Sequence, residues 1–254
     1  MTSRQKDDTF TLLGIPIANI TMQRALEIIW TSLERSHTSE IHFVNAHCIN
    51  VAAKNPTYLS LLRQSTAIFA DGSGIRKAGV RLNHPIVDNV NGTDLFPLLC
   101  SECKKTNKKL FLLGGKPDVA NKCATWANEY VQGNIIAGFS DGYFLKKDTS
   151  TLLHQINESK ADILLVGMGV PTQELWLHEH LSKINSKVVM GVGGLFDYYS
   201  GTIRRSPKWM RKIGIEWVWR LMMEPKRMWK RYIIGNIEFL LRIEKIRREE
   251  KKGR

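Results

Sequence analysis

The chain has 254 residues, of which 43% are hydrophobic and 24% are charged, a composition that can bury one sizeable core. Disordered and fibrous classes of protein are therefore excluded. The formal net charge of +13 comes from 37 Lys and Arg against 24 Asp and Glu. Most of it lies at one end, because residues 204–254 contain 17 basic and 6 acidic side chains. The rest of the chain is nearly neutral.

The sequence shows no targeting segment and no membrane span. The first eight residues, MTSRQKDD, are polar, and no uncharged apolar run approaches the roughly 20 residues that cross a bilayer. We therefore expect a cytoplasmic chain. Four cysteines are too few for a disulfide scaffold, and Cys100 and Cys103 lack the second pair or the nearby His of a zinc site. Their stretch, LFPLLCSECKK, reads as a helix, which disfavours a metal or redox role.

Short β-rich runs alternate with helical stretches through most of the chain. The run FTLLGIPI predicts an N-terminal strand or hairpin, and the spacing of Ala25, Ile29 and Leu33 predicts a helix from Thr21 through Glu34. Six further strands are predicted, with helices between them: Ile41 to Asn45, Ala67 to Ala70, Lys109 to Leu113, Ile135 to Gly138, Ile163 to Gly167 and Val188 to Val192.

The fold class follows from the character of these strands. Runs such as ILLVG and VVMGV are continuously apolar, which is typical of strands covered on both faces in a mostly parallel sheet. The sequence therefore predicts an α/β core over residues 1–205, with helices on both faces of the sheet, and a short helical appendage over 206–254. Ligands of such sheets bind beyond the carboxyl ends of the strands, so the loops there are the first candidates for chemistry.

One of these loops has features of a phosphate site. Gly114 and Gly115 let backbone N–H groups approach an anion, Lys116 adds charge, and Pro117 suits the first turn of the following helix. Gly-Gly before a helix is also ordinary turn chemistry. Neither the dinucleotide-binding glycine fingerprint nor the P-loop pattern is present, so spacing alone leaves both interpretations open.

Nine blocks of sequence together carry a family resemblance. In chain order they are VNAH, ADGSGI, NGTDL, FLLGGKP, DGYF, GMGVPTQE, GVGGLFDYYSG, RRSPKWM and GIEWVWRLMMEPKR. Over roughly Ile15 to Arg231 the chain resembles the WecG/TagA/CpsF family of glycosyltransferases. The resemblance implies a Rossmann-like core and an inverting bacterial transferase without a cofactor. It also implies a UDP-sugar donor, usually of the N-acetylmannosamine type or a related hexose, and an undecaprenyl-pyrophosphate-linked sugar acceptor.

The resemblance also implies catalytic roles. An inverting transfer needs a base for the acceptor hydroxyl and help for the departing diphosphate. Asp71 matches the position to which the family assigns the base, although an Asp there also suits a helix N-cap, and the two roles can coexist. No Asp-x-Asp metal-binding pair occurs in the chain, and no metal is expected. Arg220 and Arg227 match arginines that would offset the leaving charge, the alternative being solvated or lipid-facing side chains.

Other matched positions concern the donor. Tyr143, Gln173 and Asp197 match residues that contact uridine, and Asn45 matches a residue near the sugar. Tyr143 alone could equally be a core or rim aromatic. In two places the chain departs from the family pattern: Phe43 stands where Thr is frequent, and Asn89 where Arg is frequent. Losing that Arg puts the identity of the donor in doubt, and Lys116 or His47 are candidates to compensate.

The basic tail predicts an interfacial helix. Four of the seven Trp lie between Trp209 and Trp229, and Trp and basic side chains both favour an anionic membrane surface. After Pro225, helical spacing places Trp229, Ile233, Ile237 and Leu240 on one face and Arg227, Arg231, Arg242 and Lys245 on the other. The implied location is the inner face of the cytoplasmic membrane. The tail could instead dock on the core with a solvated basic face.

Two other functions compete with a sugar transferase. Lys and Arg interleaved with aromatic residues also suit nucleic acid, but the near-neutral body and the absence of a recognised motif argue against that partner. A dinucleotide-dependent oxidoreductase fits the α/β order yet lacks the glycine fingerprint. The donor sugar, the acceptor glycan and the oligomeric state, including a homo-oligomer, stay open.

Overall fold

The computed structural model describes residues 9–143 and 149–252. Eight strands form one sheet: β1 (Thr9–Leu12), β2 (Ile15–Ala18), β3 (Ser39–Val44), β4 (Ala67–Ala70), β5 (Leu110–Gly114), β6 (Ile136–Ser140), β7 (Ile163–Gly167) and β8 (Val188–Gly191). Nine helices accompany them: α1 (Met22–Leu33), α2 (Ala46–Ala52), α3 (Pro56–Gln64), α4 (Gly72–Arg81), α5 (Gly92–Thr106), α6 (Val119–Tyr130), α7 (Thr149–Glu158), α8 (Thr172–His180) and α9 (Leu195–Tyr199).

The tail consists of helices that follow one another closely. They are α10 (Lys208–Lys212), α11 (Glu216–Met223), α12 (Pro225–Trp229) and α13 (Gly235–Lys252), and a π-helical turn over Lys230–Ile234 joins the last two. A 3₁₀ turn, Leu181–Lys183, follows α8.

The strand order in the sheet is β1-β2-β4-β3-β8-β7-β5-β6. β1 and β2 form an antiparallel hairpin, and the remaining pairs are parallel. Parallel neighbours need long crossovers, and the helices between the strands provide them. After β3 the chain passes to α2 on one face of the sheet, whereas after β8 it passes to α9 on the opposite face. The loops after β3 and β8 therefore diverge at the middle of the sheet.

Both faces of the sheet are covered. Ile41, Phe69 and Leu112 belong to an apolar cluster with α1, α5, α6 and α9, whereas Val44 and Ile68 face the opposite side, where α2, α3 and α4 pack. At the other end of the sheet, α7 and α8 cover the second face. Successive side chains of a strand point to opposite faces, so continuously apolar strands are what this arrangement requires.

The predicted fold class is confirmed, with small shifts at strand ends. Helix α1 has Thr21 as its N-cap and Glu34 as its C-cap. FTLLGIPI forms the hairpin, and the strands at 67–70 and 163–167 have the predicted bounds. Pro117 was expected in the first turn of a helix, but α6 begins at Val119 after Asp118, which has a left-handed backbone. Pro117 therefore belongs to the preceding turn.

The tail packs on the body through one side of α13. Phe239 and Ile243 are fully buried in the cluster that includes Ile49 and Ile75, so α13 lies against α2 and α4. This buried side of α13 fits the alternative in which the tail docks on the core. The division into a core of residues 1–205 and an appendage of residues 206–254 stays a prediction.

Two glycines permit close contact between the tail and the turn that follows β4. A Cβ on Gly74 would lie 2.9 Å from the Cβ of Ala46 and 3.7 Å from the Phe239 ring. Gly214 has φ +75°, and a Cβ there would lie 2.9 Å from the Cβ of Ser73. The ADGSGI motif is thus in contact with the tail at both of these points.

Within 9–143 and 149–252, none of the helices combines the length and the apolar character needed to cross a bilayer. Cys100 and Cys103 lie on α5, as predicted, and both are buried and unbridged.

Candidate active site

A cavity of about 590 Å³ opens at the carboxyl edge of the sheet, where the loops after β3 and β8 diverge. Such a point is where open α/β sheets bind their ligands. One wall consists of the loops after β3, β4, β7 and β8, and the tail helices supply the other. Six of the predicted site residues line this cavity: Asn45, Asp71, Asn89, Gln173, Arg220 and Arg227.

Asp71 stands at the N-cap position of α4 without acting as a cap. Its backbone is extended, as at an N-cap, but its side chain makes no capping hydrogen bond to the helix. Instead, the Asn45 amide Nδ2 donates to Asp71 Oδ2 at 3.2 Å. The carboxylate is therefore turned toward the cavity rather than toward the helix backbone.

The surroundings of Asp71 make it a stronger base than an ordinary carboxylate. Burial raises the pKa of Asp71 to about 6, although the hydrogen bond from Asn45 and the charge of Arg231 act in the opposite direction. A carboxyl with this pKa is ionised at neutral pH and still accepts a proton readily. The position thus suits general-base chemistry.

Two asparagines hold the Asp71 turn in place. Asn45 caps α2 by accepting from the backbone N–H groups of His47 and Cys48 while it donates to Asp71. Asn89 Oδ1 accepts from Gly72 N at 2.5 Å. Asn89 therefore supports the loop that carries the carboxylate, a role that the family comparison of this position did not indicate.

Gln173 ties together two loops of the cavity wall. It is 2% exposed, and its Oε1 accepts from the backbone N–H of Gly169 at 3.2 Å and of Gly193 at 2.9 Å. Its Nε2 donates to Glu174 Oε1 at 2.8 Å. These bonds occupy the amide, so the observed geometry is that of a brace between the loops after β7 and β8.

Arg220 is buried and held by two carboxylates. Its Nη2 lies 3.1 Å from Asp197 Oδ2 and 2.7 Å from Glu224 Oε2, and its guanidinium lies 5.1 Å from the centre of the Tyr198 ring. Asp197 is thus brought to the site through Arg220. Because the guanidinium is fixed on three sides, it presents its remaining N–H groups in a defined direction.

The other cations of the cavity wall differ in their pairing. Arg227 is exposed and lies 2.9 Å from Glu224, and Arg211 lies 3.6 Å from Asp94. Lys77 and Arg231 complete the set. A cavity with several cations and few free anions attracts negatively charged ligands.

The remaining predicted residues lie further along the same edge of the sheet. Gly114 ends β5, Gly115 and Lys116 follow it, and Tyr143 lies after β6; none of the four lines the cavity. Gly115 N already donates to Gly167 O at 3.0 Å, so it is not free for a phosphate. Tyr143 is 57% exposed. Part of the DGYF block, Phe144, lies outside the described residues.

Phe43 and His47 both line the cavity. Phe43 is 8% exposed and packs edge-on against Phe69 with ring centres 5.6 Å apart. Burial and the charge of Arg231 lower the pKa of His47 to about 4. His47 is therefore neutral at physiological pH and can donate or accept a hydrogen bond, but it does not supply the charge that Asn89 lacks.

Among the residues of the tail wall that sequence reasoning missed as site residues are Glu216, Trp217 and Arg231. Glu216 is a second carboxyl whose pKa is raised by burial. The WKRY run after the EPKR block is the signal that could have indicated Arg231. In the described part of the chain, no three His, Cys, Asp or Glu side chains are grouped so as to hold a metal ion.

A partly buried carboxylate and several arginines at the carboxyl edge of an α/β sheet suit an enzyme that handles a phosphorylated substrate. The family model described as "Glycosyl transferase WecG/TagA/CpsF family" matches residues 10–253. The chain belongs to this family and is a glycosyltransferase, as the sequence blocks indicated.

Curated relatives match over their full length. Proteins of Staphylococcus aureus strains MRSA252 and MW2 are each 33% identical to the chain over 262 aligned positions that span 100% of both chains. A protein of strain NCTC 8325 / PS 47 is 32% identical over the same extent. All three are named "N-acetylglucosaminyldiphosphoundecaprenol N-acetyl-beta-D-mannosaminyltransferase".

Proposed function

We propose that the protein is an inverting, metal-independent glycosyltransferase of bacterial cell-surface polysaccharide synthesis. It moves a hexose, of the N-acetylmannosamine type or a related kind, from a UDP-sugar to an undecaprenyl-diphosphate-linked sugar. The names of the relatives support the acceptor class and the transferred sugar. The observation that carries the mechanism is the Asp71 carboxylate, which faces a cavity lined with arginines and has a pKa of about 6.

In the proposed reaction, Asp71 takes the proton of the acceptor hydroxyl as its oxygen attacks the anomeric carbon of the donor sugar. The bond from that carbon to the phosphate oxygen breaks on the opposite face, so the configuration inverts and the nucleotide diphosphate leaves with the electron pair. Asn45 orients the carboxylate through its 3.2 Å hydrogen bond. General-base help of this kind contributes about 10²–10⁴ in rate.

The leaving diphosphate gains negative charge in this step, and Arg220 and Arg227 would stabilise it. Arginine stays charged and makes bidentate bonds to phosphate. Glu224 contacts both guanidinium groups, at 2.7 Å from Arg220 and 2.9 Å from Arg227, and so holds them near each other. Positive charge fixed in advance stabilises a transition state without a cost of reorganisation.

The nucleotide would extend from the cavity along the sheet edge toward β5 and β6. Asp197 lies beside Arg220, at the start of this path. Tyr143 and the Gly114-Gly115-Lys116 turn lie further along it, past the end of β7. Gly142 N donates to Gly115 O at 2.9 Å, so the Tyr143 turn and the glycine turn are adjacent. Tyr143 is exposed and therefore available to stack on a base.

A substrate panel tests the reaction. Purified protein would be incubated with several UDP-sugars and a short-chain polyprenyl-diphosphate N-acetylglucosamine, with and without EDTA, and the products followed by mass spectrometry. We expect one UDP-sugar to be transferred with less than a twofold effect of EDTA. Loss of turnover on chelation would contradict metal independence. Thermal stabilisation by NAD but not by UDP would favour the dinucleotide-dependent oxidoreductase.

The tail surface supports membrane association. Outside the buried side of α13, large apolar side chains of the tail are exposed, including Trp209, Met222, Trp229, Ile234 and Leu241. Contiguous apolar surface flanked by basic residues is typical of a face that enters the headgroup layer. We propose that this surface places the enzyme at the inner face of the cytoplasmic membrane, where a lipid-linked acceptor would be available.

Removing part of this apolar surface should weaken membrane binding. Ile234→Ser combined with Leu241→Ser changes two side chains that are 51% and 67% exposed and that lie outside the cavity lining. Each substitution removes about 1–2 kcal/mol of the free energy gained when the apolar side chain is buried in the membrane. We therefore expect affinity for vesicles with anionic lipid to fall at least tenfold in co-sedimentation.

The matched control changes Val80 and Val87 to Ser, since both are exposed apolar residues of the body. Its vesicle binding should equal that of the wild type. Equal vesicle binding by wild type and the tail variant would contradict the membrane role. Retention of oligonucleotides on filters without vesicle binding would favour the nucleic-acid alternative.

A further inference from the structure

Arg231 lies in the π-helical turn Lys230–Ile234 between α12 and α13, and it lines the cavity. Turns of this kind are rare, appear mostly as single turns inside α-helices and frequently occur at functional sites. The irregular turn follows the EPKR block, in which Arg227 is already proposed to bind the leaving diphosphate. Arg231 is a separate group with different neighbours.

Arg231 differs from the other arginines of the cavity in its ion pairing with carboxylates. Arg211, Arg220 and Arg227 each lie within 4.0 Å of at least one carboxylate. Over 9–143 and 149–252, Arg231 has no such ion pair. Its Nε is buried without a hydrogen-bond partner, and its guanidinium lies 5.5 Å from the centre of the Tyr232 ring. A cation held this way in a partly buried site lacks an anion.

The positive charge of Arg231 acts on residues at the centre of the proposed site. Its charge lowers the pKa of both Asp71 and His47. On the other side, the next residues of the same helical segment, Ile233 and Ile237, are exposed and belong to the rim of the cavity. Arg231 therefore lines the same cavity as the carboxylate on which its charge acts and as the exposed apolar residues Ile233 and Ile237.

Arg220 has a different position. It lies beside Asp197, and a Cβ on Gly194, after β8, would be 3.4 Å from its Nη2. The two arginines thus have different immediate neighbours in the same cavity. Two diphosphates meet in the proposed reaction, one in the nucleotide donor and one between the sugar and the lipid of the acceptor.

We propose that Arg231 binds the diphosphate of the lipid-linked acceptor, whereas Arg220 serves that of the nucleotide. An acceptor whose sugar hydroxyl reaches Asp71 and whose lipid lies on the exposed apolar residues of the tail would have its diphosphate within the cavity that Arg231 lines. This assignment rests on the proposed function. It adds an acceptor-binding residue and explains an arginine without a carboxylate partner.

Equilibrium binding tests this assignment apart from turnover. For Arg231→Ala we expect the Kd for a short-chain polyprenyl-diphosphate N-acetylglucosamine in detergent to rise about 10- to 100-fold, the loss of one or two charge-assisted hydrogen bonds. The Kd for UDP should change less than threefold. With a monophosphate-linked analogue of the acceptor, the difference between wild type and variant should shrink.

Lys230→Ala is the matched control, because Lys230 is the adjacent cation but is exposed and lies over the Trp229 ring. Its acceptor affinity should stay within threefold of the wild type. Arg231→Lys keeps the charge and should recover part of the affinity. Thermal unfolding of each variant checks that the fold is retained.

Each outcome of these binding measurements supports or overturns the assignment of Arg231. Weaker binding of UDP by Arg231→Ala, with normal acceptor binding, would assign Arg231 to the nucleotide and overturn the proposal. Unchanged binding of both ligands would overturn it as well. A wild-type protein that binds the acceptor yet transfers from no UDP-sugar would contradict the proposed function and leave the assignment of Arg231 to be judged on acceptor binding.

The pH profile adds a readout that a purely structural role would not move. In every variant, the pKa of Asp71 is still affected by burial, Asn45, Glu216 and Asp94. Only the loss of Arg231 removes a charge that lowers the pKa of Asp71, so the acidic limb of kcat/KM should shift to higher pH in Arg231→Ala and stay in place in Lys230→Ala.

Discussion

Asp71→Asn should reduce turnover by about 10²–10⁴-fold, the usual contribution of a positioned general base. The amide is nearly the same shape, so its oxygen can still accept from Asn45, and affinity for UDP should stay within threefold. In the wild type, kcat/KM should rise with pH through about 6, where Asp71 loses its proton. Steady-state rates and UDP calorimetry on the two proteins measure these effects.

The same substitution should stabilise the fold at neutral pH. The folded-state pKa of Asp71 is raised from 3.8 to about 6, so the folded state binds the proton more tightly than the unfolded chain. The stability that the folded state gains from binding this proton is fully present below about pH 4 and is lost as pH rises through about 6. At pH 7 the ionised carboxylate costs up to about 3 kcal/mol, and Asn removes this cost. Thermal unfolding at pH 7 should show a higher Tm.

Glu216→Gln is the control for charge alone. Glu216 lines the same cavity, and burial raises its pKa too, so it is the other candidate base. We expect less than a tenfold loss of turnover. A large loss in Glu216→Gln with full turnover in Asp71→Asn would move the base to the tail and contradict the proposed mechanism.

Arg220→Ala should damage both stability and catalysis. The guanidinium is 5% exposed and lies within 3.1 Å of Asp197 and Glu224. Its removal leaves Asp197 without its cation in a partly buried site and Glu224 with Arg227 only, a loss of about 3–5 kcal/mol. Transfer should fall by about 10²–10³-fold because charge stabilisation of the leaving group is lost. Chemical denaturation and rates at saturating acceptor measure both.

Two further variants separate these effects. Arg227→Ala removes an exposed partner of Glu224 and should cost less than about 1 kcal/mol of stability while it still slows transfer. Arg220→Lys keeps the charge without the planar fork, so stability should recover more than activity. Normal transfer by a folded Arg220→Ala protein would exclude this arginine from the leaving-group site.

Most of the sheet could be predicted because its strands carry local signals. Continuous apolar runs such as Ile163–Gly167 require cover on both faces, and the turn residues after them mark their ends. The strand order could not be predicted in this way. It depends on how helices of similar polarity pack over the two faces, and no single residue of the sequence encodes that choice.

The location of the site was predictable, because Asp71 and Asn45 follow strands and so lie at the carboxyl edge of the sheet. Their roles were implied by the family resemblance and stay predictions. The site was less predictable where the role depends on partners far apart in sequence. Asn89 accepts from Gly72 N, and Gln173 accepts from two glycine N–H groups, so the oxygen atoms of both amides bind backbone. Helical spacing placed Arg231 opposite the apolar face, but the π-helical turn and the docking of Phe239 bring it into the cavity wall.

A single oxygen atom of Gln173 accepts from Gly169 and Gly193. Because both loops bind the same atom and follow neighbouring strands of the sheet, they are held together on this side of the cavity. Any widening that admits a bulky glycolipid must then come from the helices opposite. These helices also carry the exposed apolar residues proposed to bind the membrane, so under that proposal binding to lipid and opening of the cavity involve the same part of the chain.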